Sequence, residues 1–266
     1  MGILTAQQAL SLYGSGNPFN SAPALRFSNY SAYIDGSLVR LLDWRQPSPQ
    51  ALLADRAMRG FISSPAFSCV AAKAAISSGG YRFGYYPGFG DPRTTQGLAR
   101  DLAAFAAERA SMRVPYATFV ATFNQTGVES ERGFERHLWR LLQRLADLGS
   151  PHYPWDETVS SDAADSNFAF SFGGEAFFVV GMHPNSSRLS RRFFLPAVAF
   201  NAHRQFVDAR RNGRYGRIQR LVREREFILQ GSINPELREF GTRSEARQYS
   251  GRATEESWRC PFRSQS

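Results

Sequence analysis

A chain of 266 residues with 42% hydrophobic and 14% aromatic residues is long enough to bury a sizeable core and too apolar to stay disordered. No apolar run approaches the ~20 residues that cross a bilayer, so no membrane partner is expected. The net charge of +9 suggests nucleic acid at first sight. However, Lys73 is the one lysine, the arginines alternate with acids as in Arg223-Glu224-Arg225-Glu226, and no nucleic-acid motif is present, which favours a solvated helix over phosphate contacts.

Residues 1–50, rich in Ser, Gly, Asn and Pro, read as an N-terminal arm. Residues 51–61 predict a short helix. Pro65 then interrupts the chain, and the alanine-rich residues 69–76 predict a second helix ended by Gly79-Gly80. Residues 81–86 alternate as a strand. Residues 96–109 predict an amphipathic helix with Leu98, Leu102 and Phe105 on one face. A strand over 116–123 and a helix over 129–148 follow, the latter with an apolar stripe of Phe134, Leu138, Leu141, Leu142 and Leu145. Residues 151–166 are a polar connector. The apolar residues 168–182, interrupted by Gly173-Gly174, predict a strand pair. A helical turn over 188–193 and a strand over 195–200 precede a long helix over 204–231, broken near Gly213, with Tyr215, Ile218 and Val222 on one face. Residues 244–250 predict a last short helix. With no repeat and no clean linker, residues 51–266 read as one α+β domain, a mixed sheet with helices packed around it.

Residues 1–5 carry neither a basic segment nor a long apolar one, so a secretory leader is not expected. Ala6 stands where a myristoylation signal needs Ser or Thr. A cytoplasmic location is expected, and with it two free thiols, Cys69 and Cys260. Cys69 opens the alanine-rich helix, where unpaired N–H groups lower a thiol's pKa and the thiolate suits heme iron; packing as a small apolar residue is the plainer account. Cys260, near the chain end, is best read as packing. His137 and His152 lie in a charged helix and a connector. His183 closes an apolar strand and His203 follows one, positions that suit a ligand or a buried, satisfied histidine equally. No His-x-x-x-His or Cys-x-x-Cys spacing supports zinc. The run from His183 to Phe193 is dense in arginine, with Arg188, Arg191 and Arg192 able to fork onto carboxylates or simply to face water. Glu245, Gln248, Tyr249 and Arg252 fall at helical spacing on one face, which suits a cationic group or a solvated helix.

These segments, taken in order, resemble the YqcI/YcgG family, from about Phe61 onward. The carrying residues are Phe67-Ser68-Cys69-Val70-Ala71-Ala72-Lys73, Phe170-Ser171-Phe172-Gly173-Gly174 and the His183-Pro184 run. They continue through Phe200-Asn201-Ala202-His203-Arg204-Gln205-Phe206, Leu229-Gln230-Gly231-Ser232-Ile233-Asn234-Pro235, Ser244-Glu245-Ala246-Arg247-Gln248-Tyr249-Ser250-Gly251-Arg252 and Trp258-Arg259-Cys260-Pro261-Phe262. The family has Phe-Pro-Cys where this chain has Phe67-Ser68-Cys69, and serine is itself a good helix cap.

The resemblance implies a cleft for heme b (iron protoporphyrin IX) and heme-dependent oxygenation of a guanidine nitrogen of L-arginine or a related amino acid. This is the chemistry of the arginine Nω-hydroxylase of D-cycloserine biosynthesis and of the guanitoxin-pathway oxidase. On that footing Cys69, His183 and His203 are alternative axial ligands; if the thiolate is not the ligand, one histidine is proximal and the other distal. Arg188, Arg191 and Arg192 would hold propionates or the substrate carboxylate, with Arg188 also counted with Glu245 as a catalytic residue, and Glu245 would meet the guanidinium. The partners implied are a guanidine or amine substrate and O2 or H2O2, with an electron donor and a homodimer left open. The rival reading is a non-catalytic heme sensor or carrier.

Overall fold

The computed structural model describes residues 16–65, 67–124, 128–234, 236 and 241–264. The readings made for residues 1–6 and for Pro235 lie outside the described residues. The described part of the expected arm contributes a helix and two strands of the sheet. Helix α1 (Ala22–Phe27) is capped by Ser21, whose hydroxyl accepts from the Ala24 amide. Strands β1 (Ser31–Ile34) and β2 (Ser37–Arg40) then pair as a hairpin. Its two turn residues, Asp35 and Gly36, both take positive φ (49° and 84°), the backbone a two-residue hairpin needs.

Helix α2 (Pro49–Ser63) starts with Pro49 at its first turn and Ser48 as cap. It is followed by α3 (Val70–Ser77) and β3 (Tyr81–Tyr86). Helix α4 (Pro92–Arg109) is capped by Asp91 and carries the chain over to β4 (Thr118–Phe123), which runs parallel to β3. Helix α5 (Glu131–Gly149), capped by Ser130, buries the predicted stripe. Strands β5 (Phe170–Phe172) and β6 (Glu175–Met182) form the predicted hairpin around Gly173 and Gly174, both at positive φ. A single 3-10 turn (Leu189–Arg191) leads to β7 (Ala197–Ala202). The last long helix is broken at the predicted place: α6 (Arg204–Arg211) and α7 (Tyr215–Gln230) meet at Gly213, φ 67°. Helix α8 (Ala246–Tyr249) closes the series.

Among the described residues the seven strands make one mixed sheet in the order β2-β1-β3-β4-β7-β6-β5, with β3 and β4 the parallel pair and eight helices around it. The chain is therefore a single α+β domain. Because side chains alternate across a strand, each strand feeds two cores. Phe119, Phe123, Phe177, Val179 and Phe200 join α4 and α5 in the larger one. Phe83, Val120, Met182, Ala197 and Ala199 face α2 in the smaller one. On the second face α6 and α7 lie across a cleft from β6 and β7.

Candidate functional site

The floor of the cleft between helices and sheet is the outward-facing row of β6 and β7: Phe178, Val180 and Asn201. Its roof is Phe206 and Arg210 of α6 with Tyr215, Ile218, Gln219, Val222 and Arg223 of α7. The start of α3 (Cys69, Ala71) closes one part of the wall, and Glu245 and Gln248 of α8 another. The enclosed volume is about 170 Å³, below the roughly 300–1,000 Å³ usual for small-molecule sites, and the cleft opens broadly to solvent at its mouth. The lining is largely apolar, with a few polar groups held at fixed points. Asn201 is one, its amide donating to the Phe178 carbonyl at 3.0 Å.

The roof is anchored by charge. Glu226 is the fully buried residue of α7. It accepts from Ser190 Oγ at 2.6 Å, from Ser68 Oγ at 3.3 Å and from the Arg188 guanidinium. Arg188 also donates to the Ser232 carbonyl at 2.8 Å. Burial alone would raise the Glu226 pKa; the bonds from Ser190 and Arg188, with Arg191 nearby, outweigh it and hold the carboxyl below its ordinary value.

Of the three candidate axial ligands, the structure brings Cys69 to the cleft and neither histidine. Cys69 stands at the cap position of α3 without a side-chain cap bond, and the nearby amides of Ala72 and Ala71 act to lower its pKa. The expectation of a lowered thiol pKa is nonetheless overturned. Desolvation outweighs those two amides and the Arg191 charge, so the pKa is raised. His183 continues the odd-numbered row of β6 and turns to the opposite face of the sheet. There it is wholly buried and stacks on Phe134 at 4.4 Å. Burial pushes its pKa down to about 4, the state of a neutral ring packed in the core. The His203 amide donates to the Ala176 carbonyl, seven residues before His183, which puts the two histidines roughly 20 Å apart along the strand. They cannot flank one iron.

The arginine cluster also differs from its expected role. Arg188 is committed to Glu226. Buried Arg191 donates to the carbonyls of Gln248 at 2.9 Å and Tyr249 at 3.3 Å, bolting α8 to the sheet, and Arg192 Nε donates to the Ser186 carbonyl at 2.8 Å. None of the three lines the cleft; the arginines that do are Arg210 and Arg223. The shared face proposed for residues 245–252 is divided in the same way. Glu245 and Gln248 reach the cleft, but the Tyr249 hydroxyl turns inward, accepting from the Phe170 amide at 3.0 Å. Helix α8 stops before Arg252, which pairs with Glu135 and Glu255, each at 2.9 Å. Arg210, Arg223 and Asn201 were not foreseen. The shared face of Tyr215, Ile218 and Val222 announced the apolar roof, and nothing in the spacing announced its cations.

Glu245 is the exceptional group of the site. It is 5% exposed, its Oε1 lies 3.7 Å from His203 Nε2, and its Oε2 has no hydrogen-bond partner among the described residues. Burial raises its pKa, with His203 the chief opposing influence. By its donor set, and not by its enclosed volume, the cleft suits a heme: a largely apolar slot lies between sheet and helices, the Cys69 sulfur stands in its wall, and two arginines are on its roof. Cys260, by contrast, packs against the larger core, and burial pushes its thiol up to about 12; both cysteines are free. Among the described residues no three His, Cys, Asp or Glu side chains gather as a bare metal ion would require. No described helix is long and apolar enough to cross a membrane.

Comparison with known proteins agrees with the motif reading. The model of the YqcI/YcgG family matches residues 58–263. The chain is similar to the uncharacterized protein YcgG of Bacillus subtilis (strain 168), 29% identical over 209 residues that cover 74% of this chain and 80% of that protein. No solved structure matches. Cys69, His203 and Glu245 all fall inside the matched region, and the chain belongs to the YqcI/YcgG family.

Proposed function

We propose that the cleft binds heme b, which Cys69 would hold, and that the protein oxygenates a guanidine nitrogen of L-arginine or a related amino acid in secondary metabolism. The observation that carries this reading is the pairing, in one apolar slot, of a sulfur at a helix start with a buried carboxylate whose Oε2 is unpartnered among the described residues. Heme bound to the Cys69 thiolate would supply oxygen-transfer chemistry with O2 and an electron donor, or with H2O2. The chain's own residues do the rest. Arg210 and Arg223 answer the propionates. Glu245 Oε2 accepts from the guanidinium and fixes which nitrogen faces the reaction, while Gln248 and Asn201 offer amides for the remainder of the substrate. Phe178, Phe206, Ile218 and Val222 keep water out, so the Glu245 charge acts at full strength.

A sensor or carrier of heme would have the sulfur and the slot but no use for the carboxylate, which is why the catalytic reading is preferred. The test is the absorption spectrum of the purified or hemin-loaded protein, oxidised, then reduced under carbon monoxide. The wild type is expected to show thiolate-type bands and Cys69→Ala to lose them. A wild type that takes up no hemin, or a Cys69→Ala spectrum identical to wild type, overturns the proposal.

A further inference from the structure

His203 does not line the cleft, yet it touches the group that most needs explaining. Its imidazole and the Glu245 carboxylate are both almost wholly enclosed, with Nε2 3.7 Å from Oε1. A carboxylate buried with one oxygen unpaired is costly, and Glu245, in the cleft wall, holds its Oε2 enclosed and without a partner among the described residues, so it calls for a partner that arrives from outside. Glu245 is not spent on its own helix: it stands at the cap position of α8 and makes no side-chain cap bond. His203 is itself held firmly, its amide bonded to Ala176 at 2.8 Å. The charges of Asp156 and Glu175 act on its imidazole. Arg210, the other cation felt by Glu245, has its guanidinium 4.4 Å from the centre of the Tyr215 ring.

We infer that His203 is a positioning residue of the cleft. It holds Glu245 through Oε1, so that Oε2 is presented to a cationic, hydrogen-bond-donating group of the substrate. The inference rests on the reading of the cleft as a guanidine site and adds the residue that aims its carboxylate. It also gives His203 a role other than iron ligation, since its Nε2 faces Glu245 Oε1 at 3.7 Å.

The test uses the full chain as purified and two probes of nearly equal shape, L-arginine and its uncharged analogue L-citrulline, titrated by calorimetry. Wild type is expected to prefer arginine by roughly tenfold or more, the scale of a charged hydrogen bond. Glu245→Gln and His203→Leu are expected to abolish the preference. His203→Gln, whose amide nitrogen replaces Nε2, should keep it to within about threefold. General damage would weaken both probes alike, so the ratio is the informative quantity. A preference that survives His203→Leu overturns the inference and leaves the cleft reading standing. No preference in wild type overturns the cleft reading itself, and the inference with it. Should His203→Leu fail to fold, His203→Asn takes its place: its shorter amide cannot reach Glu245, and retention of the preference there would overturn the inference equally.

Discussion

At Cys69 two effects compete. The start of a helix favours a thiolate, and the Ala72 and Ala71 amides act in that direction; removal from water favours the thiol and is the larger effect. On the proposed reading, Cys69 would give up its proton when the iron arrives and would not be a standing nucleophile. Glu245 is the matching case on the anionic side, and its substrate role makes a kinetic prediction. In the heme-loaded protein, Glu245→Gln is expected to raise KM for a guanidine substrate by roughly tenfold or more, the loss of a charge-assisted bond, with heme content unchanged. Steady-state kinetics beside a heme assay checks it; an unchanged KM removes Glu245 from the binding site. Both residues were legible in the sequence, Cys69 from its place before an alanine run and Glu245 from the polar face it shares with Gln248. The arginines were not. A cluster of Arg188, Arg191 and Arg192 looks like an anion site when read along the chain, because the acceptors that satisfy it are distant: Glu226, the end of α8 and the loop at Ser186. Spacing shows where donors are dense and is silent on which carbonyl or carboxylate folds back to meet them.

At the scale of elements, α7 is the unusual one. Most helices here are held by an apolar stripe, as α5 is by five leucine and phenylalanine residues. Helix α7 buries a single glutamate, so its docking depends on the Glu226–Arg188 pair and the Ser68 and Ser190 hydroxyls. Breaking a buried pair by removing one partner leaves an unpaired charge, at a cost of about 3–5 kcal/mol where the site cannot relax. Glu226→Ala is therefore expected to loosen the roof before it unfolds the domain. Amide exchange should rise across residues 215–230 and not in the sheet. Equal loss of protection in β4 and β7 would show that the latch is global and not local. Ser68, next to Cys69, takes part in this latch, which couples the start of α3 to the roof. The helix break at Gly213 and the apolar face of Tyr215, Ile218 and Val222 were readable from glycine chemistry and helical period. That the buried group of α7 would be charged was not, because the alternation of Arg and Glu from 223 to 226 is also the signature of a solvated helix.

For the molecule as a whole, the segment that looked least structured turns out to carry part of the sheet. Its hairpin has only four residues per strand, too short to signal by alternation, and its polar composition arises because it is fastened through acids of α4. Glu108 takes Tyr30 and Arg82. Asp101 accepts from the Asn29 amide, the Ser28 hydroxyl and the Tyr86 hydroxyl, joining hairpin, helix and β3 at one buried point. Complete burial pushes the Asp101 pKa from 3.8 up to about 6, against the opposing effect of those three donors and Arg40. A carboxyl with a raised folded-state pKa favours folding most when it is protonated in the fold. That contribution is full below pH ~4 and is lost as pH rises through ~6, a difference of about 3 kcal/mol. Denaturant unfolding of wild type and Asp101→Asn between pH 4 and 7.5 isolates it. Asparagine cannot ionise, so the wild type is expected to lose stability relative to the variant across pH 4 to 6 and to run parallel with it above pH 7. A stability difference that stays constant across the whole range would mean that the carboxylate is charged in the fold at every pH tested, with its three donors outweighing burial.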